Sequence, residues 1–182
     1  MVKVLVYDLT SENYNSIRNT EFRDKLRAIR IKCTRRLHEL GVQCTESVIL
    51  IPNTSSDRTR YAIEYVMYQY RTILEQISNI LGVRLPNPII RVLDITEQQY
   101  ETFRELALRH LQQNIDANID RVSLIIEQNN HENTRSLVNS LRKLKREWIR
   151  IRNHCISLGI PLDSEIQYLI DLIDQAITQL GG

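Results

Sequence analysis

The chain opens on an apolar run, "VKVLVYDL" (residues 2–9), that meets one carboxylate, Asp8, as it ends. Val2, Val4, Leu5, Val6 and Tyr7 are β-formers, and their near-continuous apolar character predicts a central strand covered on both faces. Residues 10–20 are polar and read as a loop. Then the period changes. Phe22, Leu26, Ile29, Cys33, Leu37 and Leu40 recur at steps of four and three, which predicts a helix over 21–40 with one apolar stripe. Gly41 is placed to stop it as the residue beyond the cap. "VQCTESVILI" (42–51) predicts a second strand, closed by Pro52. A polar turn follows, with Ser56 and Asp57 as cap candidates. Ile63, Val66, Tyr70, Ile73, Ile77 and Ile80 then predict a helix to Leu81 that Gly82 closes. "IIRVLDI" (89–95) predicts a third strand.

Beyond it the pattern is helical throughout. Residues 97–128, 133–158 and 164–180 predict three helices, broken at Asn129–His131 and again at Gly159 and Pro161. Thr96 with Gln99, and Ser164 with Gln167, each have capping-box spacing. In the middle helix Leu137, Leu141, Leu144, Trp148, Ile151, Cys155 and Leu158 alternate steps of four and three, a bundle or coiled-coil seam. A further strand over 122–128 is disfavoured by the helical period of Ile115, Ile119, Val122 and Ile126. The pattern defines an α+β chain: a β-α-β-α-β module over 1–95, then a helical extension over 96–182 as a bundle or hairpin.

Composition narrows the classes. With 182 residues, 42% hydrophobic and 25% charged, the chain is long enough for a real core and ordinary for a globular protein. No apolar run reaches membrane-spanning length, and Asp8 and Glu12 interrupt any signal-peptide pattern, so the expected location is cytoplasmic. Cys33, Cys44 and Cys155 are odd in number and scattered, which points to reduced core thiols. Cys33, His38 and Cys44 lack the fourth ligand and the spacing of a zinc site. Five glycines leave no Gly-rich phosphate cradle. His38, His110, His131 and His154 stand near no nucleophile motif, and His38 and His110 read as helix-surface residues.

Net charge is only +2, but its distribution is uneven. Arg18, Arg23, Lys25, Arg27, Arg30, Lys32, Arg35 and Arg36 crowd the first helix, opposed by Glu21, Asp24 and Glu39. Such a cluster attracts nucleic-acid phosphate, and Arg holds phosphate bidentately; a solvated or acid-paired face is the other reading. Arg142, Lys143, Lys145, Arg146, Arg150 and Arg152 flank the Leu-Trp seam. Their expected partners are Asp163, Glu165, Asp171 and Asp174 on the last helix. Tyr61, Tyr65 and Tyr68 share one face of the second helix. They suit a dimer or domain interface more than base stacking. Asp8 has two readings as well, a divalent-metal ligand at a strand tip or a turn cap.

A strand ending in Tyr7-Asp8, the basic helix, "RRLHELGVQCTESVILIP" and the later "IIRVLDI" together resemble the Cas2 family of CRISPR proteins and the N-terminal region of the chromate-resistance regulator ChrB. The resemblance spans residues 1–95 and rests on Leu40, Gly41, Gln43, Ser47 and Val48. It implies a ferredoxin-like fold, a homodimer and a nucleic-acid ligand, DNA or RNA. It also implies that Asp8 from two subunits can share a divalent metal, Mg²⁺ or Mn²⁺, as the catalytic and metal residue of a nuclease; Glu12, read from its place in the sequence alone, is a second carboxylate that could help. The expected function is phosphate-backbone binding through Arg23, Arg27, Arg30, Arg35 and Arg36 without catalysis. The alternatives are that nuclease, and a helical scaffold docking a protein partner through the C-terminal helices.

Overall fold

The computed structural model describes residues 2–9, 20–52, 56–82, 86–127 and 134–181. Contacts divide the chain into two units, Met1–Tyr100 and Glu101–Gly182. The first contains β1 (Lys3–Asp8), α1 (Thr20–His38), β2 (Val42–Thr45), β3 (Val48–Ile51), α2 (Ser56–Leu81) and β4 (Ile89–Asp94). The strands form one sheet in the order β2-β3-β1-β4, every neighbouring pair antiparallel. β1 is central, as its apolar run predicts, and Val4 and Leu5 on its opposite faces are both buried. Glu12, Arg18 and the break at Asn129–His131 lie outside the described residues.

The stretch 42–51 is two strands rather than one. Glu46 and Ser47 form a turn that folds β2 and β3 into a hairpin, so the sheet has four strands where three are expected. The turn contains neither Gly nor Asn, and no described non-Gly residue has positive φ, so it is not one of the mirror-image turns that two-residue hairpins favour. Instead the register shifts between Gln43 and Thr45, a bulge that adds local twist. The Ser47 N–H donates to Thr45 Oγ1 at 3.4 Å, and the Tyr7 N–H donates to the Ser47 carbonyl at 3.0 Å.

Gly41 also has a different role from the one predicted. α1 ends at His38, and Gly41 is not among the positive-φ glycines. Its lack of a side chain lets the α1–β2 connection lie on β3: a Cβ here would stand 1.8 Å from the Leu50 carbonyl oxygen. Gly82, at φ 65°, does end α2 in the left-handed conformation.

One face of the sheet carries the core of this unit. Leu5 and Tyr7 of β1 and Ile49 and Ile51 of β3 pack with Leu26, Cys33 and Leu37 of α1 and with Val66, Tyr70, Ile73 and Ile77 of α2. The predicted stripes match these positions, except that Ile80 is exposed in the last turn of α2. The Tyr70 hydroxyl donates to the Leu9 carbonyl at 3.3 Å, which satisfies a buried polar group. β4 pairs only with β1 and lies at the edge, where Ile89, Val92 and Leu93 are exposed.

The second unit holds most of α3 (Glu97–Glu127), with α4 (Thr134–Ser157) and α5 (Asp163–Gln179). The capping box at the start of α3 forms: the Thr96 N–H donates to Gln99 Oε1 at 2.9 Å and the Gln99 N–H to Thr96 Oγ1 at 3.3 Å. The Ser164–Gln167 box does not. α5 starts at Asp163 without a side-chain cap, because Gln167 accepts from Arg152 and donates to Asp171. Two residues past the end of α4, Gly159 at φ 63° closes it in the left-handed conformation, and the Ile160 N–H donates to the Cys155 carbonyl at 2.9 Å. The α4 seam is buried at Leu141, Trp148, Cys155 and Leu158, and α4 packs on α5. Among the described residues, no helix is long and apolar enough to cross a membrane.

Candidate nucleic-acid interface

α1 carries seven cations against two acids, Glu21 and Asp24, and all seven are exposed. Its apolar stripe points Leu26, Cys33 and Leu37 inward, so the basic residues flank it. A helix turns by about 100° per residue. The steps of four and three therefore put Arg23, Arg27 and Arg30 on one flank, while Lys32, Arg35 and Arg36 fall on the other. The five predicted arginines thus form two groups. Lys25 pairs with Glu21 at 2.6 Å and Arg36 with Glu39 at 2.7 Å. Arg23, Arg27 and Arg35 form no ion pair with a described residue.

The second flank becomes one wall of a groove between α1 and α2. Ala28, Ile31, Lys32, Arg35, Arg36 and Glu39 line it from α1 and its C-terminal turn, and Tyr61 and Tyr65 from α2; its volume is about 660 Å³. Tyr61 is 60% exposed and Tyr65 half-buried. The Lys32 ammonium lies 5.5 Å from the Tyr65 ring centroid, and the Arg60 guanidinium 5.2 Å from that of Tyr61, both within cation–π range. A hydrogen bond to the Tyr65 hydroxyl raises the Lys32 pKa, so this ammonium stays charged. Sequence reasoning places Lys32 in the basic cluster but not among the five binding residues, although it is one turn from Arg35 and Arg36; Arg60 does not line the groove. Tyr68, also exposed, does not line the groove.

The other flank stands near a polar cluster that the sequence does not reveal. The Tyr7 hydroxyl lies 2.7 Å from His38 Nε2 and 2.6 Å from the Glu46 carbonyl oxygen. A carbonyl only accepts, so the single Tyr7 proton goes to Glu46 and His38 Nε2 must carry a proton to complete the second bond. Burial pushes the Tyr7 pKa up to about 12, with Arg30 acting in the opposite direction and Glu46 in the same one. The trio pins the end of α1 to the β2–β3 turn. His38 is therefore a half-buried structural partner rather than a surface residue.

Asp8 is exposed at the end of β1, opposite Ile89. No three described His, Cys, Asp or Glu side chains come together as a metal-holding group. Among the described residues there is thus no group that fits Mg²⁺ or Mn²⁺, and Glu12 lies outside them. Cys33 and Cys44 are buried free thiols, their pKa values pushed to about 11 by burial. They behave as core residues. His110 is half-buried in α3, and burial lowers its pKa.

On the second unit the basic run divides. Lys145 donates to both Asp174 oxygens at 2.6 and 2.7 Å, and Arg152 binds Asp163 at 2.6 and 3.1 Å. That is the expected pairing with the acidic last helix. Arg142, Lys143 and Arg146, with Asn139, instead line an open groove that Lys145 also borders. No family model, curated protein or solved structure matched the chain.

Proposed function

We propose that this protein binds the phosphate backbone of a nucleic acid through α1, on a module of ferredoxin-like type. The succession β1-α1-β2-β3-α2-β4, with the sheet order β2-β3-β1-β4, supports the ferredoxin-like reading. The α4–α5 pairing supports a C-terminal helical hairpin. One observation carries the functional reading: α1 is a single 19-residue helix whose seven cations are all exposed and mostly not consumed by ion pairs. Exposed arginine clusters neutralise phosphates and release counterions, which makes binding salt-dependent and indifferent to sequence.

The test is fluorescence anisotropy of labelled DNA and RNA against protein at several salt concentrations. With five arginines engaged, the slope of log K against log salt is about −3.5 on a single strand, a loss of about 100-fold between 50 and 200 mM salt. Replacing Arg23, Arg27 and Arg30 together with Gln reduces that slope by about 2. Absence of binding at 50 mM salt, or affinity insensitive to salt, refutes the proposal.

A further inference from the structure

We infer that the α1–α2 groove selects single-stranded nucleic acid, seating an unpaired base on the exposed Tyr61 ring while Lys32 and Arg35 hold the adjoining phosphates. The inference rests on the proposed binding through α1 and adds the class of strand it prefers. The argument is one of chemical complementarity. The groove joins an aromatic wall to three cations, and one carboxylate, Glu39, is already engaged by Arg36 at 2.7 Å. Its lining therefore favours an anion that also has a flat apolar part. Unpaired nucleotides have both. In a duplex the base faces are occupied by stacking, and only the phosphates remain available to this surface. A volume of about 660 Å³ lies in the ordinary range for a bound small group.

Tyr61 is suited to the role by its position. At 60% exposure it contributes little to the core, and its neighbour Ala62 is fully buried and anchors that turn of α2 to the sheet. The Arg60 guanidinium stands over the Tyr61 ring, 5.2 Å from its centroid, and does not line the groove, so the proposed base takes the face turned to the groove. The ring is thus presented to solvent on a rigid helix, at small conformational cost on binding.

The experiment uses the full chain with labelled 20-nucleotide single strands of DNA and RNA and the matching duplexes. Anisotropy is measured for wild type, Tyr61→Ala, Tyr61→Phe and Arg35→Gln. The expected result has three parts. Single strands bind at least about 10-fold tighter than duplexes. Tyr61→Ala loses roughly 5- to 150-fold on single strands, the factor one base stack carries, with an unchanged salt slope. Tyr61→Phe retains wild-type affinity, and Arg35→Gln lowers the slope by about 0.7 on single strands. Equal affinity for strand and duplex, with Tyr61→Ala neutral and Arg35→Gln still weakening both, overturns this inference and leaves the phosphate-binding proposal standing. No binding of any nucleic acid overturns both. Tyr61→Ala that turns a dimer into a monomer without changing affinity also overturns it, and makes the tyrosine face an interface between two copies.

Discussion

Replacing Gly41 with Ala adds one methyl group at a position where the backbone of β3 is already in the way. The new Cβ would lie 1.8 Å from the Leu50 carbonyl oxygen, 2.8 Å from the Leu50 carbonyl carbon and 3.2 Å from Ile49 Cγ2. The first contact is short by more than an ångström, and the obstructing atoms are main chain, so no rotamer change relieves it. Leu50 pairs with Val42 on one side and Val4 on the other. Moving it disturbs two ladders in the centre of the sheet. Overpacking of this kind costs about 1–3 kcal/mol and sometimes more. Stiffening the unfolded chain returns about 0.4–1 kcal/mol. Because the obstruction is main chain at 1.8 Å, the cost lies at or above the top of that range, about 3 kcal/mol, and the net expectation is a loss of about 2 kcal/mol or more. Gly82→Ala is the control: φ is 65° there and nothing lies within 4 Å, so only the left-handed backbone cost of about 1–2 kcal/mol applies. Urea unfolding followed by far-ultraviolet circular dichroism and tyrosine fluorescence gives both values. If Gly41→Ala is no worse than Gly82→Ala, the close approach of the α1–β2 connection to β3 is wrong.

Trp148 is 3% exposed in α4, so Trp148→Ala should cost about 3–5 kcal/mol in chemical denaturation, and a cost below about 1 kcal/mol places the ring at the surface. Alkali should destabilise the fold. Burial raises Cys33 and Cys44 to about 11 and Cys155 and Tyr7 to about 12, so above pH 9 the unfolded chain releases protons that the folded chain retains. The stability these groups contribute is complete below about pH 9 for the thiols and about pH 10 for Tyr7, and above that falls by up to about 1.4 kcal/mol per pH unit for each group until its folded pKa is passed. Urea midpoints that stay flat from pH 8 to 11 contradict this.

Much of the fold is legible in the sequence, because burial imposes a period. The steps of four and three through Leu26, Cys33 and Leu37, or through Leu141, Trp148 and Cys155, record which helix face meets a core. The β2–β3 hairpin escapes this logic. Its turn is Glu46-Ser47, which carries no glycine, and the bulge at Gln43–Thr45 disrupts the alternation that would reveal a reversal. The Ser164–Gln167 pattern misleads because Arg152 and Asp171 claim the Gln167 side chain, and no local rule anticipates a competitor from another helix. The candidate site is legible in part. The arginine density of α1 is plain in the chain, and helical geometry already separates Arg23, Arg27 and Arg30 from Arg35 and Arg36. That Tyr61 and Tyr65 face Lys32 depends on how two helices lie side by side, and that Tyr7 meets His38 depends on a contact across 31 positions.

The sheet order has a consequence for the chain as it is made. β1 is synthesised before every other strand of this sheet and β4 after them, yet the two lie side by side, with Lys3 opposite Asp94. At about 5–20 residues per second, the interval between them is about 5–20 seconds. Until β4 is made, the one partner strand that β1 can gain is β3, and that only once residues 48–51 exist. The other flank of β1 displays the amides and carbonyls of a strand with four consecutive apolar residues, Val4 to Tyr7, open to any extended segment nearby. β4 closes the flank with few buried side chains of its own. Its contribution is to occupy the partner position before a neighbouring nascent chain does. A ribosome that stalls before residue 94 therefore leaves a strand-pairing surface exposed, and crowded translation of this message is where chaperone dependence should first show.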